Sequence, residues 1–552
     1  MPAFFAYPYR RLTSLSPTAR RASAWLSAGL GLVLCGVLAG LAGCDHSSSP
    51  RAGGVQNGDE LVIMASNGLK DLEFLQKPME AAVGHKVRFD YVGTVEMADR
   101  LRNSGASAAD FAWPASGFYL RLNAAPKIVA SEKIMLSPVV FALKKPRAED
   151  LGWDKKPPTW DEIAHVTGRD TLALGMTSPI VSDLGLAALF SAGLATANVS
   201  PVELADLNLP ELKQLYSGTR LIGGSAHWLA DTYVKQENRL DGMINYEAIV
   251  LSLDAGTQLS TPLAVIHPRD GSVMADYPLM LINPARRTEY TRLLAFLRSP
   301  AIQQQIVDRT WRRPVVAGIR LPKELEIRLP KSLPEPARPG FVDAVLDNYQ
   351  TQVRIPAHSY FVLDVSGSMA QEHRMDELKA ALHLLSGSDQ SSLAGRYAQF
   401  LPREKADLTT FDSQIVDHLS VDFASPAGYD KTRARFEDFV ATLQPKGGTA
   451  IYDALEATYQ QALKDRKLQP GYYPSIVLMT DGESSSGSNF AAFRDWYQAL
   501  PDTAQDIPVF TIMFGDADSD EMKSLADLTG GRVFDATSSS LSAVFKEIRG
   551  YQ

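Results

Sequence analysis

The sequence predicts an α/β protein made of two successive folded regions, and three observations carry that prediction. Apolar runs recur along the chain, each followed by a short polar loop and then by apolar residues at three-and-four spacing. This strand–loop–helix rhythm builds mostly parallel sheets flanked by helices. A Pro-rich, charged stretch at 317–352 separates two blocks of that rhythm. In the second block, the apolar run 360–363 leads straight into Asp364, Ser366 and Ser368 at alternate positions. The pattern then turns helical through Met375, Leu378, Ala381, Leu382 and Leu385. One carboxylate and two hydroxyls therefore sit at the carboxyl end of a buried strand, where open α/β sheets bind ligands.

Composition limits the functional classes. At 552 residues the chain is too long for one core. Its 45% hydrophobic and 21% charged content is that of a folded globular protein. A net charge of −8 leaves no basic surplus to neutralise phosphates, which argues against a nucleic-acid partner. Both cysteines, Cys35 and Cys44, precede the folded regions, so those regions form no disulfide. No P-loop, Gly-x-Ser-x-Gly elbow or His-Glu-x-x-His motif is present, and no enzymatic activity is expected.

Residues 1–43 read as an export signal. Arg10, Arg11, Arg20 and Arg21 give a basic leader, and the apolar run 28–41 is short for a spanning helix. It ends Leu41-Ala42-Gly43-Cys44, which resembles the bacterial lipoprotein box. That resemblance implies cleavage before Cys44, lipidation of its thiol and a membrane anchor on the periplasmic face. Asp45 resembles the mark for inner-membrane retention. An uncleaved signal anchor is the alternative. Residues 44–57, rich in Ser and Gly, form a flexible tether.

The first folded region spans 58–316. Strands are predicted at 61–65 and 87–92, with helices opening after Ser66-Asn67-Gly68 and Gly93-Thr94, and 111–116 reads as a third strand-to-loop junction. Helix amino ends beside small hydroxyl residues suit anions. Several stretches together resemble the type II periplasmic solute-binding proteins, particularly the molybdate- and sulfate-like group. They are Ala65-Ser66-Asn67, the run 176–185, the run 243–247, Tyr277-Pro278, and a closing helix over 290–306. The resemblance implies a two-lobed domain, with crossovers at 136–144 and 262–266. A small solute or oxyanion would then lie in the cleft against Ser66, Asn67, Thr94, Ser178, Ser182 and Tyr246. Each of these residues also fits a purely structural cap or turn. Glu247, near that cleft, repels an anion unless it points away.

The stretch 317–352 reads as a semi-rigid, extended connector, with one short helical turn at 341–346 able to dock on a neighbour. From 353 to 552 the rhythm resumes. Gly447-Gly448-Thr449 opens a helical run, and the apolar strand 475–480 ends in Asp481-Gly482. Asp364, Ser366, Ser368, Thr449 and Asp481 together resemble the metal-ion-dependent adhesion site of the von Willebrand factor A (VWA) domain. The resemblance implies a Rossmann-like domain that holds Mg²⁺, or Mn²⁺, through those five oxygen-bearing side chains. A partner protein's Asp or Glu would complete the metal shell. The alternative is an A domain whose loop caps a helix and holds no metal. Asp516, Asp518 and Asp520 do not form an EF-hand, because Glu521 stands where that loop needs glycine.

The function expected is that of a membrane-anchored extracytoplasmic binding or assembly protein. The alternative is a solute sensor whose ligand binding is coupled to protein interaction through the A domain. His358 precedes its strand, at the wrong end for the metal, and His373 and His383 lie on or beside a helix.

Overall fold

A computed structural model of the chain describes residues 60–169, 172–197, 203–327, 329, 331–334, 336, 338–387, 396, 398–423, 428–482, 484–513, 519–536 and 541–551. These lie in one compact unit, Val55–Gln552. The signal, Cys44 and the tether fall outside the described residues.

The first region has two sheets. In the first sheet the strand order is Lys86–Val92, Glu60–Ser66, Phe111–Trp113, Pro278–Leu281, Ala130–Lys133. The first three run parallel, and Pro278–Leu281 enters antiparallel from much later in the chain. The second sheet is organised on Met135–Lys144, which pairs antiparallel with Gly242–Tyr246 and Leu263–Ile266. Leu174–Thr177 and Thr219–Gly223 extend it in parallel. The chain therefore leaves the first lobe near residue 135 and returns near 278, as a two-lobed architecture requires. Leu61, Ile63, Met64, Phe111 and Val139 to Leu143 are fully buried, which explains why these strands read as unbroken apolar runs.

The closing helix is two helices, Arg287–Leu297 and Pro300–Thr310. Pro300 has no N–H to continue the first ladder and instead starts the second helix.

The proline-rich stretch is not extended throughout. Pro339–Asn348 is α-helical and runs into a π-turn, Tyr349–Val353. Val342, Val345, Leu346 and Tyr349 are buried against the first region. Phe341 packs 6.1 Å from Phe190, and Tyr349 packs edge-on 5.0 Å from Tyr216. The helical turn expected at 341–346 is thus present and docked on the first region, and it is longer than expected because the apolar spacing of 342, 345, 346 and 349 gives it a face to bury.

The second region is a six-stranded sheet ordered Ile415–Asp422, Lys405–Phe411, Ala357–Asp364, Tyr473–Thr480, Val509–Met513, Val533–Asp535. Only the pair with Ile415–Asp422 is antiparallel. Ala357–Asp364 is buried at every position. Its Phe361 and Leu363 join the core beside the helices Arg374–Leu385 and Leu541–Arg549, while Tyr360 and Val362 join the one beside Ile451–Leu468. The two regions touch directly. Tyr551 packs edge-on against Trp228 at 4.8 Å, Lys235 pairs with Asp527 at 2.6 Å, and Arg239 donates to the backbone of Gln505.

Candidate functional site

The rim of the third sheet gathers the motif residues at the carboxyl ends of two adjacent parallel strands. Asp364 ends the strand Ala357–Asp364, and the chain then makes a short turn, Gly367–Ala370, before the helix Arg374–Leu385. The Asp364 carboxylate is fully buried. Its Oδ1 accepts from the Ser366 N–H at 2.8 Å and its Oδ2 from the Thr480 hydroxyl at 2.6 Å. Ser366 Oγ lies 3.0 Å from Ser368 Oγ, and Ser368 donates to Asp481 Oδ1 at 2.7 Å. Four of the five motif side chains thus form one continuous chain of contacts.

Thr449 reaches the same rim through backbone contacts. Lys446 N donates to Val365 O at 2.7 Å and Gly367 N to Gly447 O at 3.1 Å, which seats the 446–449 loop against the Asp364 turn. Gly447 has φ +76°, and a Cβ there would stand 2.9 Å from the Asp412 carboxyl, so glycine is required. The Ser485 hydroxyl accepts from Thr449 N, and Ser485 N donates back to Thr449 O.

Burial pushes the Asp364 carboxyl up to about 6; hydrogen bonds from Thr480 and Ser366 oppose the shift and the charge of Asp481 adds to it. An acid in this state gains from a nearby cation. The donor set fits a hard divalent ion, because every one of the five side chains offers oxygen and none offers nitrogen or sulfur. No motif pointed to Arg374, which donates to Asp481 Oδ2 at 2.9 Å and to Glu372 at 3.1 Å. A cation already holds the outer carboxylate. Thr480, the partner of Asp364, stood next to the motif and was passed over.

At the opposite end of the same strand, His358 lies in a separate network. Its Nε2 is 2.5 Å from Asp407, and its Nδ1 is 3.0 Å from the Tyr360 hydroxyl, which donates to Asp465. Both nitrogens are engaged in a closed chain of hydrogen bonds. His373 and His383 are exposed.

In the first region, Ser66, Asn67, Ser182 and Tyr246 line one recess between the lobes, together with Asp183 and Ser225. Thr94 and Ser178 are buried nearby but do not line it. The lobes are shut on one another. A Cβ on Gly93 would lie 2.5 Å from Val181 O, and Asp71 on one lobe pairs with His227 on the other at 3.3 Å. The recess encloses about 10 Å³, room for about one water. Asp183, next to Ser182 but outside the expected cleft set, has its carboxyl pushed up to about 6 by burial. The Tyr246 hydroxyl and Asp183 Oδ1 are buried without a hydrogen-bond partner. Glu247 points away from the recess: Arg313 binds it at 2.7 and 2.8 Å and His267 at 2.7 Å.

The model of the bacterial extracellular solute-binding protein family matches residues 61–311, and that of the von Willebrand factor type A domain matches 360–547. Among curated proteins, calcium-activated chloride channel regulator 3A-1 of Mus musculus is 30% identical over 176 residues, 31% of this chain. Calcium-activated chloride channel regulator 1 of Bos taurus is 27% identical over 178 residues. The match spans 16% of the length of each of these relatives. Among solved structures, the periplasmic binding protein AfuA of Actinobacillus pleuropneumoniae is similar at 14% identity and TM-score 0.42, covering 54% of this chain and 99% of that one. Iron-bound HitA of Pseudomonas aeruginosa gives 13% and 0.42, covering 52% and 99%. No helix among the described residues is long and apolar enough to cross a membrane. The chain joins a bacterial extracellular solute-binding domain to a von Willebrand factor type A domain, and both halves are modules of binding and interaction.

Proposed function

We propose that this protein is a membrane-anchored, extracytoplasmic binding and assembly protein that acts without turnover. Its A domain holds Mg²⁺, or Mn²⁺, through Asp364, Ser366, Ser368, Thr449 and Asp481 and captures a carboxylate of a partner protein. The observation that supports this most is the unbroken contact chain from Asp364 through Ser366 and Ser368 to Asp481 at the end of a parallel sheet. The bound ion supplies a site that an Asp or Glu of the partner can enter in place of water. The protein's part is to keep the donors preoriented: Thr480 fixes Asp364, Ser485 fixes the Thr449 backbone, and half-buried Ser368 leaves the rim open to solvent. Lipidation at Cys44 and the tether 44–57 would place this rim at the periplasmic face of the inner membrane. The test is capture of partners from membrane extracts by the full chain. Capture should disappear with EDTA and with Asp364→Ala; equal capture in all three conditions refutes the reading.

A second reading, a solute sensor, is favoured by the docking of the A domain beside the cleft. Gly550 abuts Val181 and the Tyr551 ring abuts Gly224, and both Val181 and Gly224 line the recess. A solute that parts the lobes would then disturb the A domain's carboxyl-terminal residues. Thermal-shift screening of oxyanions, metal ions and small polar solutes tests it. A solute at a hundredfold excess over its Kd stabilises by about 2.7 kcal/mol. No stabilisation by any of them leaves the domain as a scaffold.

A further inference from the structure

At the end of the strand Ala357–Asp364 away from the rim, three strands and a helix bring imidazole and carboxylate groups together. His358 and Tyr360, two residues apart, face the same side of that strand. Asp407 is the register partner of Tyr360 on the neighbouring strand. On the edge strand, His418 pairs with Thr409, two residues beyond Asp407. Alternation therefore puts His358, Asp407 and His418 on one face. The helix Ile451–Leu468 packs on that face and adds Asp465. One ligand atom from each of His358, Asp407 and Asp465 lies within 4.8 Å of the other two.

The two acids are served unequally. Buried Asp407 is shared: its Oδ2 lies 2.5 Å from His358 Nε2 and its Oδ1 3.2 Å from His418 Nε2. Asp465 accepts hydrogen bonds from the Tyr360 hydroxyl and from Gln461 of its own helix. It takes part in no ion pair among the described residues. With the imidazoles neutral, as metal ligands must be, the cluster carries two negative charges, which one divalent ion balances. Nitrogen beside oxygen also sets this cluster apart from the all-oxygen rim. Imidazole with carboxylate suits Zn²⁺, whereas Mg²⁺ prefers oxygen alone. The His418 side chain is 47% exposed, so an ion reaches the cluster past the edge strand.

We infer that His358, Asp407 and Asp465 bind one Zn²⁺, whose bonds replace the hydrogen bonds these groups share. Asp407 keeps its second oxygen on His418, a contact of the kind that orients a metal ligand. The role is structural. The strand that carries His358 runs on to Asp364, and the helix that carries Asp465 begins just after Thr449. The ion pins both elements at the ends remote from the rim. The site needs neither a metal at the rim nor a solute in the cleft.

The experiment uses the full chain in detergent, stripped with EDTA and exchanged into chelator-free buffer. Asp364→Ala is the background, so that any zinc counted does not belong to the rim. Calorimetric titration with Zn²⁺ compares this background with chains that also carry His358→Gln or Asp465→Asn. The visible absorption of bound Co²⁺ gives a second readout. Asp465→Asn keeps the side-chain shape at a half-buried position, and a matched melting temperature without metal shows that it folds. The expected result is one Zn²⁺ per chain in the background, weakened about tenfold or more by either added substitution. Zn²⁺ should also raise the melting temperature of the background more than that of the Asp465→Asn chain. No zinc uptake by the background, or equal affinity after either substitution, overturns the inference.

Discussion

Two buried acids, one in each domain, carry carboxyls pushed up to about 6, yet their surroundings differ. Asp364 stands among hydroxyls with a second carboxylate, Asp481, two serines away, while Asp183 has Ser66 and the Ala115 N–H and, among the described residues, no second acid in a recorded hydrogen bond with it. The first environment is a convergent set of oxygen donors. The second is a shut seam with room for about one water. Equal perturbation of an acid therefore does not mean equal function; what matters is which donors share its space.

The largest expected effect separates the two acids outright. Asp364→Ala should abolish calorimetric uptake of Mg²⁺ by the full chain, whereas Asp183→Asn should leave it unchanged. Retained uptake in Asp364→Ala would break the comparison.

Next is the pH dependence of stability. The fold favours protonated Asp183, whose carboxyl rises from 3.8 to about 6. The associated stability is fully present below pH 3.8 and is lost as pH rises through about 6, a loss of about 3 kcal/mol. Asp183→Asn removes that loss. In chemical denaturation the variant should therefore be more stable than the parent above pH 6 and show a flatter profile. A parallel profile would mean that Asp183 is not the acid responsible.

A smaller effect sharpens the reading of the rim. Arg374 sits on Asp481 as a resident cation, so Arg374→Met should raise Mg²⁺ affinity about tenfold. Weaker binding would instead make Arg374 a positioning residue for Asp481. Smallest is Gly93→Ala, whose methyl would press on Val181 O and part the lobes at a cost of about 1 kcal/mol. Faster limited proteolysis of the first domain, with unchanged Mg²⁺ uptake, is the outcome that fits.

Legibility in the sequence followed locality. The strand 360–363 and the donors on the loop after it lie within a dozen residues, and Asp481 ends the neighbouring strand. Alternate-position oxygens after an apolar run could be recognised because strand ends bring such residues to one edge. Arg374 escaped notice because nothing in its spacing distinguishes it from a solvated helix residue. The cleft residues come from turns more than a hundred positions apart, so their meeting depends on how two lobes close. Thr94 and Ser178 carried the right chemistry and missed the recess, while Asp183 was overlooked beside Ser182. The helical turn expected at 341–346 is present, but it extends over Pro339–Asn348, because prolines mark a chain's stiffness and say nothing of how much surface waits to be covered.

Taken alone, the sequence determined the strand–helix rhythm, the break between two regions, and the oxygen donors at the end of one strand. Those features follow from apolar periodicity and from residue chemistry within a single loop. Only the tertiary structure decided that Glu247 is neutralised, that the lobes are shut, and that His358, Asp407 and Asp465 share one space. Each of those outcomes depends on distances between residues far apart in the chain, and packing, not local spacing, sets them.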